Sequence, residues 1–241
     1  MKLFTTSLLA AAAVAGTTAE WKKRSVYQVL TDRYYKSGGG SKCTNLSAYC
    51  GGTFAGMTSQ LKYIKNMGFD AIWISPVVTN YENPSTNQWG YHGYWATNWE
   101  TVNSHFGSEA DLHTLVQEAH KLGIWVMVDV VANHVGPIGM DFSQIYPFNK
   151  SEHYHDDCQI TNWNDQANVE YCRLADLPDL NQDGNSYVRS YLKNWVGSLV
   201  SQYGFDGVRI DTIPEVGKDF WKEYGQAAGV FQMGEAFNGD P

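Results

Sequence analysis

The chain has 241 residues, enough for one large domain or two small ones with a sizeable core. Its formal net charge is −8 and its lysines and arginines form no cluster, which argues against nucleic acid or an anionic membrane as the partner. Aromatic residues make up 14% of the chain, and many fall in segments that do not read as core.

Taken in chain order, residues 1–19 (MKLFTTSLLAAAAVAGTTA) carry an early lysine, an apolar run and small residues at Thr17 and Ala19. That is the pattern of a secretory signal cleaved after Ala19, too short to span a membrane, and it predicts a secreted protein. SVYQVLTDRYY (25–35) reads as the first strand. Export permits disulfides, and Cys43, Cys50, Cys158 and Cys172 allow three connectivities. Cys43–Cys50 with Cys158–Cys172 is the simplest, since each pair brackets a loop-like segment. A zinc site is the alternative, but neither spacing has the short C-x₂₋₄-C form. Asn45-Leu-Ser and Asn149-Lys-Ser are glycosylation acceptors on loops, in keeping with export.

A unit then recurs: an amphipathic helix, a glycine, and a short apolar run ending in a polar residue. It appears at 59–76 (SQLKYIKNMGFDAIWISP), 111–134 (DLHTLVQEAHKLGIWVMVDVVANH) and 188–212 (VRSYLKNWVGSLVSQYGFDGVRIDT). A less regular copy occupies 220–236 (FWKEYGQAAGVFQMGEA). Gly68, Gly123, Gly204 and Gly229 stand where a helix C-cap glycine belongs. The runs AIWIS, IWVMVDVV, GVRI and VFQM are nearly continuous in apolar residues, as parallel strands covered on both faces are. Between the first two units, Trp89, Tyr91, Tyr94, Trp95 and Trp99 crowd one stretch. Such aromatics act either as structural plugs or as stacking platforms for sugar rings. Residues 135–180 break the rhythm: polar, rich in Asn, Asp and His, with two cysteines and no clear helix.

Alternating helices and strands mean either a doubly wound sheet or a (β/α)₈ barrel. No G-x-G-x-x-G follows a strand, so the dinucleotide-binding version loses its main support. The reading is α/β, a partial (β/α)₈ barrel with about five of its eight strands, carrying an irregular subdomain inserted after the third. The corresponding segments are a leader at 1–19, barrel at 20–134, insert at 135–180 and barrel again at 181–241. The chain reads as truncated just after its fifth strand.

Strand ends would bring Asp129, Asn133, His134, Arg209, Asp211 and Glu235 to one rim. In a strand Arg209 and Asp211 share a face, and two charges on an apolar strand are costly unless they satisfy each other. Two carboxylates facing one cleft are the minimum for glycoside hydrolysis. Arg209 beside Asp211 favours an ionised nucleophile, and partial burial of Glu235 would suit a general acid. The alternative is a structural Arg–Asp pair and an incidental glutamate.

DVVANH (129–134), GVRIDT (207–212) and GEAFNGDP (234–241) resemble, in order and separation, signature regions of the α-amylase family of glycoside hydrolases. LPDL (177–180) resembles a further short region in that family's inserted subdomain. YQVLTDRY, CGGTFAGM, MGFDAIWISPV, YHGYW and WVGSLVSQY are particularly similar to secreted fungal members. The resemblance runs from about residue 20 to 241. It implies retaining endo-hydrolysis of α-1,4-glucans such as starch, with Asp211 as nucleophile and Glu235 as proton donor. Arg209, His134, His92, Tyr94 and Trp95 would bind substrate or support those that do, and Asp129 would support the arginine. It also implies Ca²⁺ on side-chain oxygens of Asn133 and Asp179 and backbone carbonyls of Glu170 and Glu215, a monomer at full length, and no nucleic-acid or membrane partner. Alone, Asn133 would read as a strand-end cap. The chain departs from fungal members at Pro214-Glu215, where Lys-His is usual, which puts contacts on the leaving-group side in question. The family's third carboxylate, after Asn-His near the seventh strand, is absent with that part of the sequence. The alternatives are a non-catalytic or incomplete fragment, or an α-glucosidase or transglycosidase of the same family.

Overall fold

The computed structural model describes residues 16–39 and 42–237. Five strands form one sheet: β1 Val26–Val29, β2 Ala71–Ile74, β3 Trp125–Val130, β4 Gly207–Ile210 and β5 Phe231–Gly234. Every neighbouring pair is parallel, and spatial order equals chain order. A doubly wound sheet would reverse its order at a switch point; an unbroken 1-2-3-4-5 order is that of a barrel wall.

The helices between the strands are α1 Phe54–Asn66, α2 Glu109–Lys121, α3 Ser186–Tyr203 and α4 Lys218–Ala228. Gly68, Gly123, Gly204 and Gly229 all take positive φ at or just after the helix ends, the left-handed conformation that only glycine adopts without strain. At its other end α2 is closed by a capping box, Ser108 accepting from Asp111 N while the Asp111 carboxylate accepts from Ser108 N.

Alternation along the strands sorts the sheet into two faces. Ile72, Ile74, Val126, Val128, Val130, Val208 and Ile210 join the main core with Leu61, Ile64, Leu112, Leu115, Leu192 and Phe220 of the helices. Each fully buried aliphatic side chain of this kind contributes about 1.5–3 kcal/mol. On the other face, Ala71, Trp73, Trp125, Met127, Phe231 and Met233 cluster with Trp21. Trp21 stacks on Phe231 (5.1 Å between centroids), and its indole N–H donates to the Asp206 carbonyl. A Cβ on Gly207 would stand 2.9 Å from the Trp21 ring, so a glycine is required at the base of β4.

The expected first strand is shorter than its apolar pattern. It ends at Val29, and Thr31–Tyr34 form a helical turn that buries Asp32, whose carboxylate accepts from Cys50 N and Gly51 N. Between β2 and α2 lie strands absent from the sequence reading: Val78–Asn80 pairs antiparallel with Ala96–Val102, and Glu82–Asn83 with Gln88–Trp89. Both local cysteine pairs are disulfides, Cys43–Cys50 and Cys158–Cys172. Residues 135–180 contain short helical turns and one helix, Gln166–Tyr171, and are tied back by Val135 N donating to Pro178 O and Leu180 N to Asn133 O. Of the expected leader, residues 1–15 lie outside the described residues, and the expected cleavage point after Ala19 falls within the short helix Thr18–Trp21. No helix among the described residues is long and apolar enough to cross a membrane.

Candidate active site

Parallel pairing sets the rim. In the β3–β4 register Asp129 lies beside Arg209, and β4 and β5 end on the partners Ile210 and Gly234. Asp211 and Glu235 therefore leave adjacent strands at the same level, where strands run ~4.8 Å apart. The Arg209 guanidinium holds them together: Nη1 donates to Asp211 Oδ1 at 2.7 Å, and Nη2 lies 3.0 Å from Glu235 Oε1. Nη1 also donates to both oxygens of Asp129, at 3.1 and 3.2 Å.

Asp129 accepts two further hydrogen bonds, from Trp73 Nε1 (2.9 Å) and Tyr94 Oη (2.8 Å). Burial pushes its carboxyl up, to about 7, against the pull of Arg209. Its hydrogen-bond partners are all donors, which hold the carboxylate against burial and the nearby charge of Asp211. For Arg209 burial opposes the charge, but Asp129 and Asp211 outweigh it and keep the guanidinium above its ordinary range. Burial and the neighbouring Asp129 raise the Tyr94 phenol, which keeps its proton to donate. Trp73 places its ring 5.1 Å from the Arg209 guanidinium. Sequence reasoning missed Trp73, although period-2 alternation between Ile72 and Ile74 puts it on the inner face.

The chain bends sharply after Asp211. Thr212 sits at φ 51°, ψ 52°, a left-handed conformation unusual for a β-branched residue, and its N–H donates to Glu235 Oε2 at 3.1 Å. Both Glu235 oxygens are thereby engaged, and a quarter of its side chain stays exposed. Gly234 precedes it because a Cβ there would meet Ile213 at 2.7 Å.

The aromatic and histidine candidates gather on one side. Tyr94, Trp95 and His134 line a cleft of 660 Å³ together with Asp211, Thr212, Glu215 and Glu235. His92 stacks on Tyr94 at 5.7 Å and accepts at Nδ1 from Tyr94 N. Burial pushes the His92 and His134 imidazoles down to about 4. His134 Nε2 lies 3.1 Å from the Tyr94 carbonyl and must carry the proton, so its Nδ1 accepts from Asn133 Nδ2 at 3.2 Å.

That tautomer orients Asn133. Its Oδ1 then stands 3.0 Å from Asp179 Oδ1 and 3.2 Å from the Glu215 carbonyl. Exchanging the amide's oxygen and nitrogen would give both neighbours a donor, but would require His134 to donate from both ring nitrogens while buried. The neutral arrangement converges the oxygens of Asn133, Asp179 and Glu215, and burial pushes the Asp179 carboxyl up to about 7 against the pull of His155. Asp179 is steadied by His155, whose Nδ1 is 2.7 Å from Oδ2, a partner 24 positions away that no local signal marks. Glu170 lies half-buried on the short helix Gln166–Tyr171, which packs against the 213–215 turn; Gln166 Nε2 donates to the Pro214 carbonyl.

The family described as "Alpha amylase, catalytic domain" matches residues 28–227. Alpha-amylase 1 of Lipomyces kononenkoae is 40% identical over all of this chain and 40% of its own length. Among solved structures, an alpha-amylase of Malbranchea cinnamomea superposes with a TM-score of 0.88 at 43% identity, covering 94% of this chain and 50% of that one. The alpha-amylase of Geobacillus thermoleovorans complexed with acarbose follows at 0.82 and 36%, covering 92% and 48%. The chain thus spans about half the length of the relatives it matches or somewhat less. The match spans about 200 of the 241 residues, Asp129, Arg209 and Asp211 among them: this chain is a member of the alpha-amylase family.

Proposed function

We propose that the chain carries the reacting carboxylates of a retaining hydrolase acting endo on α-1,4-glucans such as starch. The observation that carries this reading is Arg209, one guanidinium holding Asp211 and Glu235 side by side. Retaining pairs stand ~5 Å apart and inverting ones ~6.5–9.5 Å to leave room for water, and a guanidinium shared by both carboxylates favours the closer spacing. Asp211, fixed and charge-paired, attacks the anomeric carbon; Glu235 protonates the departing glycosidic oxygen and then deprotonates the water that releases the sugar. For the first transfer Glu235 enters in its protonated form, released from Arg209 and turned to the glycosidic oxygen, and regains its proton from the attacking water in the second; Nη1 of Arg209 keeps Asp211 ionised for its attack. Tyr94 and Trp95 present faces on which a glucose ring stacks, and His92 and His134 flank them as neutral groups. The relative crystallised with acarbose supports the glucan reading.

The converging oxygens of Asn133, Asp179 and Glu215 suit a hard cation, and we assign them to Ca²⁺ with the Glu170 carbonyl as a further ligand. Among the described residues no three His, Cys, Asp or Glu side chains form a metal cluster; amide and carbonyl oxygens supply most of this set. Bound there, the ion would supply positive charge that ties the inserted segment to the end of β3 and the turn after β4. Secretion, glycosylation at Asn45 and Asn149, and action as a monomer complete the reading.

The test is reducing-sugar release from soluble starch by the purified chain and by Asp211→Asn. An amide cannot form the glycosyl-enzyme, so the rate should fall by several orders of magnitude. Retention of more than a few per cent removes Asp211 from the nucleophile role. Early products that are glucose alone contradict endo action, and a wild-type rate at background favours the incomplete-fragment reading.

A further inference from the structure

A second hollow lies apart from the catalytic rim. It is a groove of 310 Å³ between α3 and the strand Ala96–Val102, and its lining shares no residue with that of the cleft around Asp211 and Glu235. Its α3 side is a row of aromatic rings. Tyr187, Tyr191 and Trp195 recur at every fourth position of the helix, so they stand in line ~6 Å apart. The Tyr187 and Tyr191 ring centres are 6.1 Å apart. Tyr191 and Trp195 line the groove half-buried, and Tyr187, 49% exposed, extends the row beyond it. Two of the rings are fixed: Tyr191 Oη donates to Glu100 Oε1 at 3.0 Å, and Trp195 Nε1 to the Trp99 carbonyl at 2.8 Å. Beside them Asn194, Ser198 and Gln202 form a second, exposed row on the same helix. Glu100 and Glu109 are the charged residues of the lining, which contains no cation.

Aromatic faces left in line at a surface mark a binding site, and the groups around them narrow the occupant. An apolar peptide would cover Glu100 and Glu109 without pairing them, which is costly. A polyanion would meet two carboxylates. A neutral polyhydroxylated chain fits both demands: its ring faces stack on the aromatics, while its hydroxyls donate to the carboxylates and exchange hydrogen bonds with the amides and Ser198. We infer that the groove and the Tyr187–Tyr191–Trp195 row form a second, non-catalytic site for an α-glucan strand. The choice of sugar rests on the reading given above; the site itself does not. One stretch of polymer held here raises the effective concentration of its other bonds at the cleft.

Calorimetric titration of the full chain with β-cyclodextrin, a closed ring of α-1,4-linked glucose, tests this while excess acarbose fills the cleft. The parent should bind the ring. Tyr191→Ala and Trp195→Ala should each raise Kd roughly fivefold or more, the loss expected on truncating an aromatic anchor, with the affinity for acarbose unchanged. Tyr191→Phe keeps the ring face and should retain most of the affinity. Tyr187→Ala, at an exposed position, carries the same expectation should either alanine variant fail to fold. A parent that binds no cyclodextrin, or alanine variants within about twofold of it, overturns the site. So does a parent that is dimeric by light scattering and becomes monomeric on Tyr191→Ala, which gives the face to a second copy of the chain. If the parent binds cyclodextrin through these rings but does not bind acarbose, the groove stands and the catalytic reading falls.

Discussion

Arg209 owes its place to a local alternation and its surroundings to three carboxylates, two of them distant in sequence. The two-residue step to Asp211 is visible in the sequence, because strand geometry puts the two side chains on one face. Asp129, 80 positions away, is reachable only through the β3–β4 register, and the donors that surround it, Trp73 and Tyr94, come from two further segments. Removing Asp129 would leave a buried guanidinium short of one counter-charge, and breaking such a pair on one side costs ~3–5 kcal/mol. Asp129→Ala should therefore lower the unfolding free energy by about that amount in urea titration at pH 7. A loss below about 1 kcal/mol would mean that Asp211 and Glu235 carry the arginine without it.

Among the elements, α2 was the most legible from sequence: its apolar positions recur at helical spacing and Gly123 ends it, while the Ser108 cap emerged only in the structure. What its exposed face does was not legible. His120, in its last turn, lies 2.8 Å from Asp206 Oδ2, and that oxygen also accepts from Val126 N, so one carboxylate joins helix, strand and the approach to β4. The hydrogen bond to Asp206 raises the His120 pKa, with partial burial working against it. A raised folded-state value means that the pair stabilises fully below the unfolded histidine's pKa of ~6.5, and that this contribution fades as pH rises through the folded value. The melting-temperature gap between wild type and His120→Gln should thus be wide at pH 5.5 and narrow at pH 8.5. A gap that widens with pH contradicts the assignment. The antiparallel pairs at residues 78–102 left no such trace: three of the four strands have only two or three residues, and the seven-residue Ala96–Val102 does not bury alternate side chains.

At the scale of the whole molecule, the segment after β3 returns to the sheet where Asn133, Asp179 and Glu215 meet. A cation at that point would stabilise the native chain by mass action, ~2.7 kcal/mol at a hundredfold excess over Kd. Chelation should lower the melting temperature, and Asp179→Ala should abolish most of that response while Glu170→Ala, which keeps its carbonyl, should not. Equal effects of the two substitutions would contradict the ligand roles.

The sequence by itself determined the repeating helix–glycine–strand unit, the parallel sheet and the residue types at the strand ends, and it favoured the local disulfide pairing that the structure shows. These follow from short-range physics: periodicity, the left-handed turn that glycine allows, and the closure of small loops. Only the tertiary structure decided which strand ends are neighbours, and hence that one arginine serves three carboxylates. It also decided the tautomer of His134 and the orientation of Asn133. Each depends on which atoms, from segments tens of residues apart, come within hydrogen-bond reach, and that is set by strand register and loop packing rather than by any local pattern.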